Sequence, residues 1–194
     1  MATPRLYGAV SFRYDPTSEA AIFQLVGADG SEITSLDNGL PVDNIHHLMI
    51  HAERVFVHNN AHTGIAAGAS YWHVLTTGSN FCNVTDYHAT ADSAPIWLAL
   101  SEAPTWSGGT SASFINRYRS SAATTQSTIK EGCIVTAAGT HLEGDFAAGT
   151  KQTGGSLGLG DEWLLKPNTD YAFLIRNDSN GAATVSFHLE ITEI

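Results

Sequence analysis

Charge is scarce in this chain. Only 14 % of its 194 residues are Asp, Glu, Lys or Arg, where soluble domains average about 25 %. Ala, Gly, Ser, Thr and Asn fill the gap, so its faces bury against neighbours without a large ionic desolvation cost. That profile fits a subunit of an assembly and is also common in secreted β proteins. Basic residues are the scarcest of all. Nine Lys and Arg against nineteen acids give a formal net charge of −10. Backbone binding to nucleic acid needs clustered basic groups, and Arg117 and Arg119 are the only close arginine pair, so no nucleic-acid partner is expected. No apolar run approaches the roughly eighteen residues of a membrane-spanning helix, so no membrane partner is expected. The opening Met1-Ala2-Thr3-Pro4-Arg5 lacks the apolar stretch of a secretory signal, which points to synthesis in the cytoplasm. There are two cysteines, Cys82 and Cys133. Neither lies in a CxxC pair, and both are expected to be free and buried.

Several catalytic signatures are also missing. There is no Gly-x-Ser-x-Gly elbow, no His-Glu-x-x-His, and no Gly-Lys-Ser or Gly-Lys-Thr in the glycine-rich stretch Gly144 to Gly160. That stretch is expected to be a long loop. No fixed-period repeat and no amphipathic helix longer than two turns is visible.

What is present is alternation with a period of two. Tyr171, Phe173 and Ile175 share one face. After the turn Asp178-Ser179-Asn180-Gly181, Val185, Phe187, Leu189 and Ile191 alternate with Thr184, Ser186, His188, Glu190 and Thr192. Such a run is a half-buried antiparallel strand. Lys166-Pro167-Asn168-Thr169 is a turn sequence. Further strands are expected at 46–59, 71–77, 81–89, 94–102, 112–118 and 128–136, linked by Gly-bearing turns and by the small-polar loop 120–127. This spacing predicts an all-β chain, an antiparallel β-sandwich of the jelly-roll kind. Residues 1–44 differ. Leu6 to Tyr14 and Ala20 to Val26 are expected strands, with turns at Gly27 to Ser31 and Asp37 to Pro41, so 1–44 is an N-terminal arm or accessory hairpin and 45–194 the body.

Histidine is the one enriched reactive type. Seven of the nine, His46, His47, His51, His58, His62, His73 and His88, fall between residues 46 and 88. Clustered imidazoles bind borderline metals. His46 and His51, however, are five apart, and strand ligands on one face need even spacing. The histidines are therefore taken as polar positions or subunit contacts, with no metal expected. Trp72, Trp97, Trp106 and Trp163 serve a core, an interface or a sugar platform. Trp106, placed in a loop, is the best candidate for an exposed ring. The acids Glu143, Asp145, Asp161 and Glu162 are taken as solvated groups beside turns rather than a glycosidase pair. Asn83-Val84-Thr85 matches a glycosylation triplet, which matters only in a secretory route.

The order of several blocks resembles a family of tailed-phage virion proteins, the jelly-roll capsid decoration or cement proteins and related head-fibre domains. The blocks are Asn44-Ile45-His46-His47-Leu48-Met49-Ile50-His51, Ala67-Gly68-Ala69-Ser70, Leu75-Thr76-Thr77-Gly78-Ser79, Phe114-Ile115-Asn116-Arg117-Tyr118-Arg119-Ser120-Ser121 and Glu162-Trp163-Leu164-Leu165-Lys166-Pro167-Asn168-Thr169, then the closing strands. The segment Tyr87 to Ser93 departs from the family's alternating strand. The resemblance implies a non-catalytic virion surface protein and leaves its place on the particle open; the leading reading puts it on the outer surface of a capsid. It would be a homo-oligomer (trimer or dimer) bridging major capsid protein subunits, with no cofactor, no metal and no catalytic residue. A receptor- or glycan-binding fibre module is the alternative, and a cupin-like metalloenzyme stands behind it. Interface candidates are Asn116, Arg117, Arg119, Trp106, His46, His47 and His51. Arg117 is weighed equally as an internal partner of an acid.

Overall fold

The computed structural model describes residues 9–15, 20–26, 45–92, 95–147, 156–158 and 162–194. The chain divides into two compact units, Met1–Asp43 and Asn44–Ile194. In the first, β1 (Ala9–Asp15) pairs antiparallel with β2 (Ala20–Val26), Ala9 opposite Val26 and Asp15 opposite Ala20. The expected strand start at Leu6, the turns at Gly27 to Ser31 and Asp37 to Pro41, most of the expected loop 147–160, and Asp161 lie outside the described residues.

The second unit opens with α1 (Ile45–His51). The strands β3 (Val55–Ile65), β4 (Ser70–Thr76), β5 (Cys82–Ala91), β6 (Ile96–Glu102), β7 (Thr105–Ala112), β8 (Ile115–Asn116), β9 (Thr128–Ala137), β10 (Thr140–Ala147), β11 (Ser156–Gly158), β12 (Trp163–Leu165), β13 (Asp170–Asn177) and β14 (Ala183–Glu193) follow. They form two sheets. One runs β10-β6-β13-β4-β9-β7; the other runs β11-β5-β14-β3-β8, with β12 also paired to β5. Every pairing described is antiparallel. The chain is therefore all-β, a sandwich of two antiparallel sheets.

The alternating residues make the core, because one face of each strand must leave water. Tyr171, Phe173 and Ile175 of β13 meet Val185, Phe187, Leu189 and Ile191 of β14, all of them buried. Their rings form a chain across the sandwich. Tyr87 stands edge-on to Phe173 at 5.2 Å, and Phe173 lies 5.9 Å from Phe187. Asn168 takes the left-handed φ of 51° in the turn before β13, a conformation asparagine tolerates. Inward positions of β5 shift from Cys82 and Val84 to Tyr87, Ala89 and Ala91. The shift coincides with a break in register opposite Glu190 and Ile191, where one extra residue flips the faces. The strand then runs on through the 87–91 segment.

Several sequence expectations are corrected. The strand expected over 46–59 is a helix at 45–51 and begins as a strand only at Val55. There His47 and His51 sit one turn apart, Nε2 to Nε2 at 3.0 Å. The strand expected over 112–118 shrinks to Ile115–Asn116. The 105–112 segment, expected as a loop around Gly108 and Gly109, is a strand. Both glycines take a left-handed backbone, and Gly109 is also closely packed. Gly109 has φ 82°, and a Cβ there would come within 2.6 Å of Cys133 Sγ. Cys82 and Cys133 are free and buried. Burial, then the Glu193 carboxylate, pushes the Cys82 thiol up to about 12, so it is no nucleophile.

The chain's last strand is tied by a carboxylate. Glu193 accepts hydrogen bonds from Ser127 N at 2.9 Å, Ser127 Oγ at 2.8 Å, Gln126 N at 3.0 Å and the Thr125 hydroxyl. Burial alone would raise this carboxyl. The donors outweigh burial and hold it below the usual 4.5. Its folded pKa is depressed, so its stabilisation is present above the unfolded value and is lost as pH falls through the folded one. Glu193→Gln is expected to cost about 1–2 kcal/mol at neutral pH. In urea melts taken at falling pH, the gap between the variant and the parent should close below pH 4.5.

Candidate metal centre

Strand pleating and one cross-strand pair assemble the site. His73 of β4 and Glu131 of β9 are direct register partners, so they share a face. His58 of β3 comes from the opposite sheet and is 4 % exposed, while His73 is fully buried. His58, His73 and Glu131 each offer a ligand atom, all within 4.8 Å of one another. His62, four residues beyond His58 on the same strand, places Nε2 2.9 Å from His73 Nε2. Phe187 stacks on the His73 ring at 4.2 Å and 20°. Tyr71 stacks on His62 at 4.1 Å.

The protonation pattern follows from the partners. His58 Nδ1 lies 3.2 Å from the Ser113 carbonyl, which can only accept, so Nδ1 carries a proton. The other nitrogen, Nε2, lies 2.8 Å from Glu131 Oε1. Distance makes this an ion pair if the ring is protonated at both nitrogens. Alignment does not make it a hydrogen bond: His58 Nε2 is buried without a hydrogen-bond partner, as is His73 Nδ1. A proton between N and O needs near-linear geometry. A cation held by two lone pairs does not. Donors about 2.1 Å from one ion stand roughly 3.0–3.4 Å apart, so closing the three groups onto an ion needs shifts of about an ångström. Burial pushes the His62 imidazole down, with neighbouring His58 adding to the effect against the opposing pull of Glu131. Burial, then His62 and His58, push His73 well below 6.5. Neutral imidazoles are the ligating form.

The outer parts of the site hold its ligands in place. Asn60 Nδ2 donates to both Glu131 oxygens, at 2.8 and 2.7 Å, and fixes the carboxylate. The Ser113 carbonyl fixes the His58 tautomer, the usual support of a ligating histidine. Two imidazoles and a carboxylate suit Zn²⁺ or Fe²⁺. A second set, Asp86, His88 and His188, gathers on a partly exposed face.

The residues singled out as interface positions belong to neither set, although Arg117 lines a cavity with Asp86 and His188. Asn116 is buried, its amide donating to the Glu53 and Ala123 carbonyls. Arg117 takes the internal alternative and pairs with Glu190. His46 Nε2 meets the same carboxylate at 2.7 Å. Arg119, His47 and His51 are exposed. Trp106 lies in β7, half-buried, with its indole N–H on Asp170 Oδ2 at 2.8 Å and Lys130 Nζ 5.4 Å from the ring. Of the tryptophans, Trp72 and Trp97 share one cavity.

The sequence-based case against metal used the spacing of His46 and His51, neither of which belongs to a candidate set. His58 and His62 had the even spacing that case required. Glu131 was missed, since only the β4–β9 register brings it to His73. The expectation of a purely structural, non-catalytic capsid decoration protein is overturned by these two sets of ligating groups. No protein-family model, no curated protein and no solved structure matches this chain. The comparisons therefore add nothing to the resemblance to phage decoration proteins.

Proposed function

We propose that this chain is a transition-metal-binding β-sandwich protein, with the ion held between the sheets by His58, His73 and Glu131. One observation carries this reading: His58 Nε2, buried and without a hydrogen-bond partner, faces Glu131 Oε1 at 2.8 Å. An unpartnered buried nitrogen beside a carboxylate is costly unless a cation satisfies both. Three protein ligands leave a coordination position open, the arrangement of catalytic centres rather than closed structural ones. When bound, the ion supplies Lewis acidity at that position. Asn60 orients the carboxylate, and Phe187 holds the His73 ring.

The strand order supports a jelly roll as the particular sandwich. Successive strands β3, β4, β5 and β6 alternate between the sheets, and β13 and β14 return one to each. Cupins build metal sites on such double sheets.

Elemental analysis tests the reading. Protein expressed with added Zn²⁺ and Fe²⁺, then dialysed, is expected to retain about one equivalent of slowly exchanging metal. Glu131→Gln and His58→Ala should retain none. Metal-free parent protein, or unchanged content in both variants, would overturn it.

A second reading rests on a separate observation. Trp72, Trp97, Leu174, Arg176, Ser101 and His141 line a cavity of about 360 Å³. Two indoles and polar neighbours in one cavity suit a sugar ring. Binding on a glycan array that Trp72→Ala abolishes would favour this reading. A blank array would remove it.

A further inference from the structure

We propose a second metal site, open to solvent, on the outer face of the sheet that carries His58. Asp86, His88 and His188 form it, it exchanges its ion freely, and with the ion bound it takes an anionic oxygen ligand, a carboxylate or phosphate, beside Arg117.

The site is built by strand geometry. Asp86 and His88 are two apart on β5, so they share a face. His188 of β14 is the direct partner of His88. The two imidazoles stack at 4.6 Å and 16°. Each addresses a different oxygen of one carboxylate: His88 Nδ1 is 3.3 Å from Asp86 Oδ1, and His188 Nε2 is 3.5 Å from Asp86 Oδ2. The first is a long hydrogen bond. It falls within the roughly 3.0–3.4 Å between donors that share an ion, and the second lies just beyond that range. The Asn59 side-chain oxygen faces His188 Nδ1, which therefore carries the proton and leaves Nε2 to ligate.

The anion follows from the lining and its charge. Asp86 and His188 line a cavity of about 390 Å³ together with Val57, Asn59, Arg117 and Glu190. Two carboxylates against one guanidinium leave it negative. A divalent ion reverses the sign. Arg117 commits one nitrogen to Glu190, and its side chain is 44 % exposed, so its fork remains able to meet an oxyanion. Anion binding should therefore appear only after the metal is in place. Exposure also separates the two sites, since the side chains of Asp86 and His88 are 48 % and 39 % exposed while His73 is fully buried. The outer site exchanges quickly, and the inner site does so only through opening of the sandwich.

The test uses the full chain, chelated and then titrated with Co²⁺ while its visible absorption is followed. The parent should show a fast, saturable site. His188→Ala and Asp86→Asn should each weaken it about 100-fold, and Asn59→Ala about 10-fold. Glu131→Gln should leave it intact, so loss of the inner site and loss of this one are distinguishable. Inorganic phosphate should then shift the Co²⁺ spectrum of the parent but not that of Arg117→Lys. Circular dichroism confirms that each variant folds. The site is overturned if no fast Co²⁺ binding occurs, or if both His188→Ala and Asp86→Asn titrate like the parent. The anion half is overturned if phosphate leaves the parent's spectrum unchanged or shifts Arg117→Lys equally.

Discussion

Glu131→Ala is expected to remove the proposed interior ion and, with it, the thermal stability that the ion would supply. At free metal about a thousandfold above its Kd, an ion that binds only the folded state contributes about 4 kcal/mol. For a domain of this size that is roughly 8–16 °C in Tm. Chelation of the parent protein should produce a drop of the same order. The discriminating result, in protein first dialysed free of loosely held metal, is the combination: chelator should lower the Tm of the parent and leave that of Glu131→Ala where it is. A bare His58–Glu131 ion pair also predicts a destabilised variant, but a parent indifferent to chelator. Differential scanning calorimetry with and without EDTA, on both proteins, separates the two. His58→Ala should behave like Glu131→Ala, because each loses a donor and leaves the other ligands short of a set.

Phe187→Ala is expected to cost about 3–5 kcal/mol, the range for emptying a large aromatic site in a packed core. Phe187 is fully buried in the ring chain that joins the sheets. It is also the surface against which His73 stacks. The substitution therefore leaves a cavity and frees the imidazole to turn, so metal affinity should fall with stability. Phe187→Leu refills most of the space and should cost about 1–2 kcal/mol. Urea melts give the stability change, and metal retained after dialysis gives the affinity change. A Phe187→Ala protein that unfolds earlier yet holds its metal as tightly as the parent would mean that the ring packs the core without positioning His73.

The closing strands could be read from sequence because one face of each had to be apolar. Tyr171 to Ile175 and Val185 to Ile191 fall inward as their alternation requires, and the turn at Asn168 adopts the backbone its residues favour. Alternation failed where neither face is plainly apolar. The 105–112 strand lies at a sheet edge with most of its residues exposed, and its two glycines looked like a break. The 45–51 segment, mixed in polarity, fits a strand and a short helix equally well by composition. The site was half visible. His58 and His62 stand at strand spacing, and His73 follows on the next strand. Glu131 is 58 positions beyond His73, and only the pairing of β4 with β9 makes them neighbours. His188 is likewise brought to His88 by register. A sequence displays spacing along one strand; the candidate ligands are gathered across strands and between sheets.

Crystals of the full chain grown with Zn²⁺, measured at the zinc absorption edge, address the interior site most directly. The expected result is an anomalous peak within about 2.1 Å of His58 Nε2 and a Glu131 oxygen, with His73 turned to the same ion. An empty map at that position, with His58 and Glu131 realigned into an ordinary hydrogen-bonded ion pair, would contradict it.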